Sequence, residues 1–460
     1  MSPTLKPYYT SPIICYNTSM SNEMKKLSTD AYKGVRDFFP ADMAVEKKIF
    51  DIWRNTVEKY GYEEYGASVL EPAELYRAKT GEEIVNEQTY TFTDRGDREV
   101  TLRPEMTPSL ARMVAARKRE LLYPLRWYSI PNLFRYEQPQ RGRVREHWQL
   151  NVDLFGVEST TAEIEVINIA YDITRMYGLK DADFEIRVNN RKLMNYLTRD
   201  IFNLDENAAQ KISKLIDKKD KVKPEWFEAA ATEVLGDKTK QFLILLNSKN
   251  FEELTKQLPQ TADEHVGIKE IREIIAGLEH LGITNVRFDQ TLMRGFDYYT
   301  GIVFEIYDLN PANRRSIFGG GRYDDLLALF GNEKVPAVGF GAGDVIARDL
   351  METYGTLPKR GELGGIPASA DLALCIVGEQ NTPYALDLAQ TFREKGIRVA
   401  VDLSNKRLGD QIKNADKRRI PRVICIGDEE VKNGKLRMRV LESGEEVEGD
   451  EDEVVKIIRR

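Results

Sequence analysis

The chain of 460 residues is poor in the side chains that most often hold transition metals, with three cysteines and three histidines. The histidines stand at 147, 265 and 280 and the cysteines at 15, 375 and 425, and no zinc-ligand spacing exists among them. A transition-metal centre is therefore not expected. Cys375 and Cys425 lie in the apolar, strand-like runs Leu-Cys-Ile-Val and Ile-Cys-Ile-Gly, which reads as two reduced core residues. Long apolar runs are also missing; none approaches the roughly 20 residues that span a bilayer. Nor is there a surplus of positive charge. The net charge of −7 argues against a general polyanion binder and leaves room only for local basic patches. The first 22 residues carry one charge, Lys6, and have neither the apolar centre of a signal peptide nor the arginines of a transit peptide. We read residues 1–30 as a disordered extension, note that Met24-Lys-Lys-Leu resembles a natural start, and expect a cytoplasmic protein.

What is present divides the chain. A length of 460 residues implies more than one domain. Val45, Ile49, Ile52, Trp53 and Val57 have helical spacing within 41–60, with Asp42 as N-cap and Gly61 as stop. Residues 126–155 read as two strands joined by a polar loop around 138–142. Short strands behind a helix suggest an α+β unit over 31–360 with an antiparallel sheet. The texture turns to charged helices between about 190 and 280, a helical insertion. Residues 353–370 have the Gly and Pro of a linker. From 367 to 460 strand and helix alternate, which predicts a small α/β domain with a mostly parallel sheet.

Four segments carry chemistry. Arg294-Gly-Phe-Asp-Tyr-Tyr runs into the alternating strand Ile302, Phe304, Ile306, so a guanidinium, Asp297, Tyr298 and Tyr299 gather at a strand entrance. That suits a small anionic substrate; a hairpin with a surface arginine is the plain alternative. Between 126 and 145 five arginines (126, 135, 141, 143, 145) face one acid, Glu137. Alternation would set Arg141, Arg143 and Arg145 on one strand face as a phosphate-binding wall, or the hairpin is simply solvated. In Thr101-Leu-Arg-Pro-Glu-Met-Thr-Pro, Pro104 and Pro108 fix the backbone around Glu105 and Thr107, a carboxylate and a hydroxyl fit for an ammonium group. The same residues would serve as a helix start with Glu in its first turn. Finally, Gly319-Gly-Gly-Arg-Tyr-Asp allows close backbone approach to a ligand, or forms a turn before a helix near Asp324. It is neither a Walker A loop nor a dinucleotide fingerprint.

Together these segments resemble the catalytic core of class II aminoacyl-tRNA synthetases and, within that class, the histidyl-tRNA synthetase family. Phe134-Arg135-Tyr-Glu137 with the arginine-rich loop is similar to motif 2, and the helix from 41 through Pro72 to motif 1, which builds a dimer interface. The segments at 294 and 319 match the two histidine-specific signatures, and 371–460 resembles the anticodon-binding domain. The resemblance covers about 31–460. It implies histidine binding by Glu105, Met106, Thr107, Arg135, Gln149, Asp153, Arg294, Tyr298 and Tyr299, and ATP binding by Arg135, Glu137, Arg143 and Arg294. Arg294 and Arg135 are then the catalytic cations. Gln140 and Arg141 would face the tRNA acceptor end, while Lys406, Arg407, Lys413, Lys417, Arg418 and Arg419 form a basic patch for tRNA. ATP with Mg²⁺, histidine and tRNA(His) are the implied substrates, and a homodimer the implied assembly. One departure stands out: the motif 3 arginine that grips ATP is replaced by Ile346, and Arg348 would face another way. That vacancy is the single feature favouring an alternative, a non-catalytic histidine-sensing paralogue that regulates the histidine-biosynthetic ATP phosphoribosyltransferase. His147 reads as structural, and the acidic run 445–453 as a solvated turn.

Overall fold

The structure is a computed structural model that describes residues 27–77, 88–138, 142–219, 222–293, 298–311, 316–331, 334–357 and 368–459. Helix α1 (Pro40–Glu58) begins where Pro40 supplies a helical φ and needs no N–H partner. Its N-cap is Phe39, three residues before the expected Asp42, because the proline has already fixed the first turn. Ile49, Trp53 and Val57 recur at four-residue intervals and are fully buried. The chain leaves the helix through Gly61 at φ +78°, a conformation that a Cβ disfavours.

Among the described residues α1 packs beside a nine-stranded sheet. Its strands are β1 (Glu63–Glu64), β5 (Leu125–Ser129), β6 (Asn132–Phe134), β7 (Glu146–Phe155), β8 (Phe184–Asn190), β9 (Val286–Phe288), β10 (Ile302–Asp308), β11 (Ser316–Arg322) and β12 (Ala337–Gly343). The path runs β1-β5-β7-β12-β11-β10-β8-β9, with β6 extending β7. Only the outer pairs β1–β5 and β8–β9 are parallel; the centre is antiparallel, as the hairpin pattern predicts. A small sheet of β2 (Leu70–Pro72), β3 (Tyr90–Thr93) and β4 (Glu99–Leu102) leads into helix α2 (Thr107–Arg117). Helix α3 (Thr161–Met176) covers the sheet, burying Val166, Ile169, Ala170 and Ile173 in the main core. Helix α4 (Asp344–Thr353) follows β12 directly. Between β8 and β9 lie short helices, among them Glu206–Ile216, Thr239–Leu246 and Val266–His280, where the charged amphipathic patterns predict them.

The C-terminal segment forms its own sheet, with β13 (Leu372–Ile376) between β14 (Val399–Val401) and β15 (Arg422–Ile426) in parallel. Antiparallel β16 (Leu436–Val440) and β17 (Glu446–Gly449) complete it. Cys375 and Cys425 are register partners and free thiols.

Three local expectations change. The acidic run 445–453 is β17 followed by a helix from Glu451, capped by Asp450, since carboxylates there accept the first amides. The glycines 319–321 lie within β11 rather than in a turn, and Asp324 is followed by a short 3₁₀ turn at Leu327–Phe330 rather than by an α-helix. Arg143 and Arg145 precede β7 and do not share one strand face. Arg143 is 61% exposed, whereas Arg145 is buried, stacked 4.0 Å from the Tyr136 ring and donating to the Glu137 carbonyl.

Candidate active site

On one face of the central strands lies a polar cavity of about 120 Å³. Its floor is built from missing side chains. Gly319 pairs with Gly341, and Gly321 with Gly339, across β11 and β12. A Cβ on Gly339 would sit 2.3 Å from Asp153 Oδ1, and one on Gly341 would sit 2.3 Å from Gln149 Nε2. The glycines thus make room for the side chains of β7. Those follow the period of two: Gln149, Asn151 and Asp153 all face the cavity. Gln149 Nε2 donates to Asn151 Oδ1 at 2.8 Å, which fixes that row.

The walls come from other elements. Glu105 and Thr107 stand where the chain turns into α2; Pro108 occupies the first helical turn and Met106 the N-cap, with no side-chain cap. Glu105 is buried and accepts a hydrogen bond at 3.2 Å from the Tyr298 hydroxyl. Tyr298 and Tyr299 are buried with rings 4.9 Å apart. Arg135, just past β6, reaches the cavity with Nε donating to the Pro104 carbonyl at 2.9 Å. At the inner end Tyr323 donates to Asp153 Oδ1. Burial pushes the Asp153 carboxyl up to about 7, with the Tyr323 bond opposing. Its Oδ2 is buried without a hydrogen-bond partner among the described residues. Such an acceptor costs about 1–3 kcal/mol unless a ligand donor reaches it.

Seven of the sequence candidates thus meet in one cavity: Glu105, Thr107, Arg135, Gln149, Asp153, Tyr298 and Tyr299. Met106 is not among the lining residues; its side chain is fully buried. Glu137 and Arg143 lie outside the lining too, paired with each other at 3.8 Å. Arg294 with Asp297, and Gln140 with Arg141, lie outside the described residues. Sequence reasoning passed over Asn151, although it is the midpoint of the alternation from Gln149 to Asp153. Tyr323, within the marked 319–324 segment, and Gly339 and Gly341 also line the cavity without having been expected there. His147 continues the same row of β7; burial, Arg135 and Arg36 pull its imidazole down to about 3, so it stays neutral.

The motif 3 position follows the expectation for Arg348 and sharpens it. Ile346 is partly buried against the main core, and Arg348 is committed to Glu352 at 2.9 Å and Asp42 at 3.6 Å. Asp344, the first residue of α4, joins that helix to β7. It accepts from the Trp148 amide at 3.0 Å and from Arg36 at 2.6 Å. In the C-terminal sheet unit, Lys406, Arg407, Lys413, Lys417 and Arg418 are exposed on and around the helix Leu408–Lys417, and Arg419 is half-buried. Among the described residues no group of three His, Cys, Asp or Glu side chains is placed to hold a metal ion. No helix there is long and apolar enough to cross a membrane.

Known proteins resemble this chain over most of its length. The family profile described as histidyl-tRNA synthetase matches residues 34–343, and that described as anticodon binding domain matches 371–460. The histidine–tRNA ligase of Leptospira biflexa is 39% identical over 427 residues, covering 91% of this chain and 94% of that protein. The ligase of Haloarcula marismortui is 36% identical, covering 91% and 95%. A crystal structure of histidyl-tRNA synthetase from Nostoc sp. shares the fold with a TM-score of 0.75 at 23% identity, covering 95% of this chain and 100% of that one.

Proposed function

The chain belongs to the histidyl-tRNA synthetase family, and on that premise we propose how its cavity performs the histidine–tRNA ligase reaction. Histidine is a zwitterion with a ring that carries an N–H donor. The cavity offers a matched set: carboxylates at Glu105 and Asp153 and a guanidinium at Arg135. The ammonium group goes to Glu105 and Thr107, the carboxylate to Arg135, and a ring N–H to Asp153 Oδ2. Gln149 and the two tyrosines shape the slot around the ring. The single observation that carries this reading is that Asp153, which lines the same cavity as Arg135 and Glu105, keeps a buried Oδ2 without a hydrogen-bond partner among the described residues. A site built around such an acceptor rejects isosteric amino acids that leave it unpaired.

The carboxylate then attacks the α-phosphate of ATP, forming histidyl-adenylate and releasing pyrophosphate. A ribose hydroxyl of the terminal adenosine of tRNA(His) takes the acyl group, releasing AMP. Negative charge grows on oxygens in both steps, so positioned cations supply most of the acceleration. Arg135 and Arg294 serve at the α-phosphate; Glu137 and Arg143 serve ATP from the hairpin, with Gln140 and Arg141 toward the acceptor end. Magnesium arrives as the ATP complex, held chiefly by phosphate oxygens and water. The basic residues 406–419 bind tRNA, and the protein acts as a cytoplasmic homodimer. The curated relatives are named as ligases, and the anticodon-binding match counts against the regulatory alternative. The test is charging of a tRNA(His) transcript with labelled histidine. Acid-precipitable label that depends on ATP is expected; its absence, with active control enzyme, would overturn the reading.

A further inference from the structure

Behind the cavity, on the opposite face of β11, lies a buried ion pair that the chemistry above leaves unused. Arg322 is 4% exposed and Glu163, on α3, is 1% exposed. Nε and Nη2 of the arginine donate to the two carboxylate oxygens at 2.5 and 2.6 Å. The same guanidinium donates to the carbonyls of Val157 and Ser159 at 3.0 and 3.2 Å and to Asp324 Oδ1 at 3.3 Å. Every arm of the fork is thereby engaged.

The main chain around this pair holds the cavity wall. The Arg322 carbonyl accepts from the Thr300 amide at 2.8 Å. The Asp324 amide donates to Thr300 Oγ1 at 3.1 Å, and Asp324 Oδ1 accepts from the Ala337 amide at 3.2 Å. Thr300 directly follows Tyr298 and Tyr299, and Arg322 directly precedes Tyr323. The Arg322 side chain also packs on Gly301, where an added Cβ would meet its Cδ at 3.2 Å. These contacts join the segment that follows Tyr298 and Tyr299 to the segment that carries Tyr323.

A pair buried this deeply is a poor device for stability, because desolvation offsets most of the attraction and apolar replacements are often as stable. We propose that the Arg322–Glu163 pair is a positioning device for histidine selection. It holds the entrance of β10 against the end of β11, so that the Tyr298 hydroxyl meets Glu105 and the Tyr323 hydroxyl meets Asp153. Arg322 and Glu163 touch no substrate; they act through the tyrosines. The inference rests on the reading of the cavity as the histidine site.

The test is ATP–pyrophosphate exchange with the full-length wild type, Arg322→Lys and Glu163→Gln, titrating histidine and ATP separately beside thermal unfolding. Arg322→Lys keeps the charge and loses the fork; Glu163→Gln keeps the shape and loses the charge. Loss of alignment raises the KM for histidine by about tenfold or more in both, while the KM for ATP stays within about twofold. A merely structural pair would lower the melting temperature and the active fraction without moving the histidine KM, and that result overturns the proposal. Should both variants be insoluble, Asp324→Ala removes the acceptor that Arg322 and the Ala337 amide share, and an unchanged histidine KM there is equally decisive against it. Absence of histidine-dependent exchange in the wild type would instead remove the functional reading on which the inference stands.

Discussion

The Tyr323 hydroxyl donates to Oδ1 of Asp153 across 170 residues of chain, and leaves Oδ2 of the same carboxylate buried without a partner among the described residues. The signature that ends β11 therefore orients the residue that the third turn of the β7 alternation delivers. This one contact links stability, pH and selectivity.

Because burial raises Asp153 to about 7 from an ordinary 3.8, the folded state prefers the neutral form. That stabilisation is complete below about pH 4 and is lost progressively as pH rises to about 7, with no further loss above. Over three units the change is about 4 kcal/mol at most. In Asp153→Asn the ligand-free protein should lack this slope, so its melting temperature should gain on the wild type between pH 4 and 7. Parallel melting curves would contradict the assignment. The same variant should raise the histidine KM about tenfold or more, since Tyr323 holds the amide oxygen and the Oδ2 acceptor becomes a donor.

The glycine floor can be probed by two single methyl groups with different expected costs. Gly341→Ala meets the end of the flexible Gln149 side chain, which can swing away, so the protein should fold and show a raised histidine KM. Gly320→Ala would place its Cβ 1.9 Å from the Gly339 carbonyl, a backbone atom that cannot yield without moving β12. It should lose soluble expression or several kcal/mol of stability, about the cost of overpacking a core. Circular dichroism and denaturant titration separate the two outcomes.

Glu46 on α1 is fully buried beside Asp344, with Arg36 and Arg348 nearby; burial first, then Asp344, pushes it up to about 8. Its neutral form is the one the fold tolerates, so its contribution falls as pH rises from 4.5 through 8. Glu46→Gln should therefore melt higher than the wild type at pH 8.5 and close to it at pH 5. The opposite order would show that the charged form is the stabilising one.

Much of this was legible in the sequence because periodicity and special residues speak locally. The four-residue spacing of Ile49, Trp53 and Val57 announces α1, and the period of two places Gln149 and Asp153 together. The resemblance brought Glu105, Arg135 and the two tyrosines into one site. What stayed hidden depends on distant partners. Glycines at 319–321 suggest a turn until the partners of Gly319 and Gly321 on β12 prove to be glycines too, whereupon a strand that needs few side chains makes sense. Arg145 looked like one of a row of phosphate ligands, but Tyr136 and the Glu137 carbonyl claim it. Nothing in sequence spacing reveals that Glu163 lies against Arg322, 159 residues away.

Arg294→Ala should abolish histidine-dependent pyrophosphate exchange while leaving circular dichroism and melting temperature unchanged. Near-normal exchange would remove Arg294 from catalysis and leave Arg135 as the principal cation.

The most direct test of the central claim is ATP–pyrophosphate exchange by the wild-type protein with each of the twenty amino acids in turn. The cavity of Glu105, Arg135, Asp153 and the three tyrosines predicts exchange with histidine alone, reduced by about two orders of magnitude or more for any other. Exchange with a different amino acid, or none with histidine, would contradict it.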